Sequence, residues 1–295
     1  MTGRMIRDRI LMARILLTVL AVFLLTDAFP QEAAKKADWL PAGNLFPSLQ
    51  FDFHEAQTTG ALYASWSDDD WADESFANFS AGFRRNLVRL NHLRGRQSEI
   101  GLELCIYTQF VFERKEEAFL MNFFNVDFKV GAFYQYRLNK SWSFRARLYH
   151  LSTHLGDDYI IANSIDTFPD NRRVYEMVDL SAAWEKGPWM VYGNFGCIVH
   201  ATYERSPLAL QAGAEWSPRM KKNNWVSWLA GMDVRCEQQG NFRPCIHTGA
   251  GVVLGRPDRH PVTVMIDYYN GWLPFSLFDE VAVQWVGASM YFDFF

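Results

Sequence analysis

The sequence predicts an all-β protein: a transmembrane, antiparallel, up-and-down barrel of about twelve strands, of the outer-membrane type. Three observations predict it. Past residue 57 the apolar residues recur at every second position, the period of a strand with two unlike faces. The runs reach roughly ten to fifteen residues, enough for a tilted strand to cross a bilayer and about twice the usual soluble strand. Mean hydropathy is only −0.14, because each apolar position is followed by a polar one. A bundle of membrane helices would be far more apolar.

Composition narrows the function classes. The 295 residues carry 33 Asp+Glu against 29 Lys+Arg, a net charge of −4, so the basic excess of a nucleic-acid binder is missing. Aromatic residues at 16% are too many for a disordered chain. At the N-terminus, Arg4, Arg7, Arg9 and Arg14 precede the apolar run Ile15 to Leu25, followed by Thr26-Asp27-Ala28. A basic region, a short apolar stretch and a small residue read as a secretory signal peptide over residues 1–28. The apolar run is too short for a membrane helix, which needs about 20 residues. Residues 29–56 are then expected as a periplasmic N-terminal segment, and 57–295 as the barrel.

Twelve runs follow, at about 57–66, 76–90, 99–112, 123–138, 140–152, 172–185, 188–200, 206–217, 224–236, 241–254, 260–270 and 281–295. An even count puts both barrel ends on the periplasmic side of a bacterial outer membrane. The connections at 139–140, 186–187, 219–223 and 255–259 are short and basic and read as periplasmic turns. Those at 67–75, 113–121, 153–171 and 271–280 are longer and more acidic and read as outside loops. Ile100, Leu102, Leu104 and Ile106 form one lipid face, and Phe124, Val126, Phe128 and Val130 the next. The opposite parity carries Glu103, Asp127, Lys129, Arg145, Arg147, Asp179, Glu215, Asp233, Arg235 and Asp267, charges that must pair or stay wet. A paired, closed lumen is the expectation for a barrel this narrow. Trp142, Trp184, Trp189, Trp216, Trp225 and Trp285 lie at run ends, where interfacial anchoring accounts for them. Cys236 and Cys245 flank a short connection that they could bridge, whereas Cys105 and Cys197 read as small core hydrophobes.

One run breaks its own pattern. In Trp142 to His154 the even positions Trp142, Phe144, Ala146 and Leu148 are apolar, yet His150, Ser152 and His154 continue that lipid-facing parity. Residues two apart share a face at roughly 6.5–7 Å. An imidazole beside a hydroxyl is the minimal base and nucleophile, and polar groups facing lipid are costly without a task. Glu176 lies on the lipid-side parity of the next run and could orient either histidine.

Tyr149-His150-Leu151-Ser152 resembles the nucleophile motif of outer-membrane phospholipase A, a twelve-stranded lipase family. Asp170-Asn171-Arg172-Arg173-Val174-Tyr175 is similar to the segment that supplies its orienting asparagine. The resemblance implies a lipid acyl hydrolase with Ser152 as nucleophile, His150 as base and Asn171 as orienting group, with His154 and Glu176 as alternatives. That family uses calcium, for which Asp157 and Asp158, with Asp166 and Asp170, offer carboxylates. Two longer stretches, Leu45-Phe46-Pro47-Ser48-Leu49-Gln50-Phe51-Asp52 and Tyr149 to Tyr159, resemble a bacterial family of outer-membrane-type barrels catalogued as a domain of unknown function. That likeness implies a barrel and supplies no reaction; the expected partners are the lipids of the outer membrane. The alternative function is a non-catalytic structural barrel, or a narrow solute channel with a charged lumen.

Overall fold

The computed structural model describes residues 36–67, 75–115, 118–162, 164–165, 172–218, 225–256, 260–274, 277 and 279–293. Its strands are β1 (Lys36–Trp39), β2 (Thr58–Ser67), β3 (Ser75–Asn91), β4 (Gln97–Lys115), β5 (Ala118–Arg137), β6 (Trp142–Leu155), β7 (Arg172–Lys186), β8 (Trp189–Ala201), β9 (Leu208–Trp216), β10 (Val226–Glu237), β11 (Pro244–Leu254), β12 (Val262–Trp272) and β13 (Ala282–Phe292). Each of β2 to β13 pairs antiparallel with its neighbours in sequence, and β13 returns to pair with β2. The sheet therefore closes into a twelve-stranded barrel, which pairs the strand backbone groups that face lipid. Strand β1 adds to the far half of β3, beyond the reach of β2.

Alternation sorts the side chains as the period of two predicts. Ile100, Leu102, Leu104 and Ile106 are exposed on the outside, while Glu103, Asp127, Lys129, Arg145, Arg147, Asp179 and Asp267 are buried inside. Among the described residues, three β-bulges interrupt the rule. At Gln109/Phe110 the β4–β5 register slips by one residue, and Phe124, expected on the lipid face, turns inward to pack with Phe76 and Trp285. Trp285 is likewise no interfacial anchor: it stacks inside on Tyr269 at 4.5 Å and on Tyr63 at 5.1 Å. The loop expected at 113–121 is mostly ladder, with Lys115 opposite Ala118. Cys236 pairs across with Pro244 and Cys245 with Arg235, so the two thiols lie on opposite faces of the sheet and cannot bridge.

From Leu45 onward, the segment expected as a periplasmic extension runs through the lumen. Phe46, Leu49 and Phe51 are fully buried there, with Asp52 and Glu55 beside them. A chain with no partner strand must find other partners for its peptide groups, and inward side chains supply them. Glu99 accepts from Leu45 N at 2.8 Å, Gln135 from Phe46 N at 2.7 Å and Glu215 from Gln50 N at 2.7 Å. His247 Nδ1 donates to Phe51 O at 2.8 Å and Lys129 Nζ to His54 O at 2.7 Å. Polar residues on many strands thus read as lumen lining because they hold this plug.

Glu55 anchors it. Arg145 donates to both carboxylate oxygens at 2.7 and 2.8 Å, Arg84 approaches at 3.0 Å and Arg147 at 3.2 Å. Arg147 is also paired with Asp179 at 2.7 Å, and Lys129 with Glu103 at 2.8 Å. Burial pushes the Glu55 carboxyl up, but Arg145, Arg84 and Arg147 outweigh it and hold the group well below the ordinary carboxylate range. At the end carrying the 156–171 and 202–207 connections, Arg205 bonds Glu237 at 2.5 Å and pairs with Asp279, which Arg173 also reaches at 3.2 Å. Ion pairs thus cross-link the plug to the barrel wall.

Candidate functional site

The outer surface, by contrast, holds polar groups that packing does not explain. On β6 the inward positions Arg145, Arg147, Tyr149, Leu151 and Thr153 are buried, and His150, Ser152 and His154 stand on the opposite, outward face. His150 lies directly across from Glu176 on β7. Its Nδ1 is 3.0 Å from Glu176 Oε1, and the two side chains are 42% and 32% exposed. An ionised carboxylate only accepts hydrogen bonds, so Nδ1 carries the proton and the neutral ring keeps its lone pair on Nε2. Glu176 therefore fixes the tautomer in which His150 is a base at Nε2.

Ser152 is two residues further along the same face, opposite Phe128 on β5 and Val174 on β7. It makes no hydrogen bond to His150 here; contacts of this kind tighten when a substrate is bound. His154 sits edge-on to Phe128, with ring centres 5.9 Å apart. Asn171, the first choice from sequence for orienting His150, lies outside the described residues. Glu176, the alternative, is the group the structure places on the imidazole.

A third side chain was not anticipated. His200 on β8 brings Nδ1 to 2.5 Å from Glu176 Oε2 and is 66% exposed. Strict alternation puts His200 on the lumen face, with Tyr192, Asn194 and Ile198. The β7–β8 register instead shifts between Glu176 and Met177, so that His200 pairs with Glu176 while Ile198 pairs with Met177. The bulged residue, Val199, turns His200 outward. No sequence signal marks this bulge.

Asp157 and Asp158 open helix α1 (Asp157–Ala162). Both carboxylates suit the positive end of a helix, and Asp158 Oδ2 accepts from Phe123 N at 2.8 Å. Asp166 and Asp170 lie outside the described residues, among which no group of three or more His, Cys, Asp or Glu side chains converges to hold a metal. Calcium takes about six to eight oxygens, and this pair alone falls short of that set.

Residues 29–294 match the family model described as a protein of unknown function, DUF1207. The chain belongs to that family. No curated protein matches it in sequence. In fold, this DUF1207 barrel is similar to the outer-membrane phospholipase dimer of Salmonella typhi with bound calcium, at a TM-score of 0.54 and 11% identity over 84% of this chain and 95% of that one. An active-site mutant of outer-membrane phospholipase A from Escherichia coli aligns at 0.53 and 12% identity, over 85% and 96% of the two chains. The β domain of the Bordetella autotransporter BrkA aligns at 0.47 and 12% identity, over 81% and 98%. At these identities the two phospholipase structures show the fold alone, that of a bacterial outer-membrane barrel.

Proposed function

We propose that the chain is an acyl hydrolase of outer-membrane lipids, with Ser152 as nucleophile, His150 as general base and Glu176 as the group that orients it. The observation that carries this reading is the His150–Glu176 bond on the lipid-facing surface, beside a serine on the same strand face. Ser152 Oγ attacks the acyl carbonyl while His150 Nε2 takes the hydroxyl proton. The ester C–O bond breaks, and the imidazolium returns that proton to the departing alkoxide. Water, deprotonated by the same Nε2, then cleaves the acyl-serine and releases the fatty acid. Glu176 stabilises the imidazolium at each stage. A positioned base of this kind contributes about 10²–10⁴ in rate.

A structural barrel is the second reading, favoured over a solute channel because the plug and its arginines occupy the lumen. The deciding experiment measures fatty-acid release from phospholipid vesicles by the folded protein, with calcium and with chelator. Release by wild type that vanishes in Ser152→Ala supports the hydrolase; none from a protein shown folded by heat-modifiable gel mobility overturns it. Release that persists in chelator removes calcium, and with it any metal role for Asp157 and Asp158.

A further inference from the structure

The two oxygens of Glu176 are divided between two histidines: Oε1 faces His150 and Oε2 faces His200. A glutamate on a two-stranded stretch of lipid-facing wall has several rotamers, and a single hydrogen bond to His150 leaves its outer oxygen free to turn toward the interface. His200 removes that freedom. Its Nδ1 meets the second carboxylate oxygen, and it comes from the strand on the far side of β7 from His150. The carboxylate is therefore gripped from both neighbouring strands at once. The backbone is shaped for this grip, since without the bulge at Val199 the imidazole would point into the lumen.

We propose that His200 is a positioning residue of the hydrolase site: by donating Nδ1–H to Glu176 Oε2, it holds Oε1 on His150 Nδ1 and so keeps the His150 base at Nε2. The proposal rests on the hydrolytic reading for its consequence in catalysis. Its geometric content, a tautomer of His150 that depends on a residue two strands away, stands apart from any substrate. Loss of a group that orients an active-site ligand typically lowers activity by roughly 10–100-fold. The loss falls on kcat, because His200 has no contact with Ser152 and lies beyond Glu176 from it.

The test compares wild type, His200→Leu, His200→Gln and His150→Gln in detergent micelles, each verified as folded by heat-modifiable mobility. Nitrogen-15 NMR of the imidazoles reads the tautomer without any lipid, and His150→Gln assigns the signal of residue 150. The Nδ1–H form of His150 should dominate in wild type, give way to a mixture in His200→Leu, and return in His200→Gln, whose amide can still donate to Oε2. Fatty-acid release should fall in kcat by roughly 10–100-fold in His200→Leu with KM unchanged, and recover in part in His200→Gln. An unchanged His150 tautomer in His200→Leu overturns the proposal, whatever the activity. A protein with the expected tautomer shift but no Ser152-dependent hydrolysis keeps the clamp and sinks the hydrolase. Activity that needs Ser152 yet ignores His200 keeps the hydrolase and sinks the clamp.

Discussion

Replacing Glu55 by alanine should release the plug while leaving the barrel closed. Glu55 is buried and is shared by Arg145, Arg84 and Arg147. Arg147 would keep Asp179 at 2.7 Å, but Arg145 and Arg84 would lose their ion-pair partner inside the lumen. Removing one member of a buried pair costs about 3–5 kcal/mol, because the surviving charge is left uncompensated. Treated as one coupled network and not as a sum, about 4 kcal/mol raises the ratio of displaced to seated plug by roughly a thousandfold. The ladder from β2 to β13 does not depend on Glu55, so the loss should appear as local opening. Hydrogen exchange of the amides between Leu45 and Gln57 measures it directly, and bilayer conductance reports whether the emptied lumen passes ions. Glu55→Gln, which keeps the shape, should lose less. Unchanged protection of those amides in a folded Glu55→Ala barrel would refute the anchoring role.

The same anchor sets a pH dependence. The arginines depress the folded-state pKa of Glu55, so its contribution is complete above the ordinary glutamate value of roughly 4.3 and declines as pH falls below it; plug exchange rates should be flat from neutrality to about 5 and rise only in stronger acid. Glu176→Gln should lower kcat for lipid hydrolysis by roughly 10²–10⁴-fold, since the amide cannot stabilise the imidazolium and can present only one acceptor to two histidines; steady-state kinetics on vesicles checks this, and wild-type rates would contradict it. Oxidation of the folded protein should leave Cys236 and Cys245 as titratable thiols, because they occupy opposite faces of the β10–β11 ladder; a Cys236–Cys245 peptide in a nonreduced digest would contradict the register.

The period of two carried most of the architecture into view. Long alternating runs have few other structural meanings, and their parity placed Arg145, Arg147 and Asp179 inside and His150 and Ser152 outside, where the structure has them. Alternation fails wherever one extra residue enters a strand. Phe124 and His200 both sit at such bulges, and a bulge is set by cross-strand register that one strand's own sequence does not encode. The plug escaped for a different reason. Leu45 to Gln57 has no strand period, and the side chains that satisfy its peptide groups, Glu99, Gln135, Glu215 and His247, come from distant points in the chain. Glu176 was reachable from sequence because its parity matched that of His150, but its place directly opposite His150 needed the β6–β7 register; Asn171 lies outside the described residues.

The most direct test of the central claim is covalent capture of the nucleophile. A long-chain fluorophosphonate reacts with a serine whose proton is taken by a neighbouring base, and tryptic mass spectrometry locates the adduct. The account predicts a single adduct on Ser152 in the folded barrel, absent in Ser152→Ala and formed far more slowly in His150→Ala and Glu176→Ala. A folded wild-type barrel that takes no label at Ser152, or labels there at the same rate without His150, would contradict it.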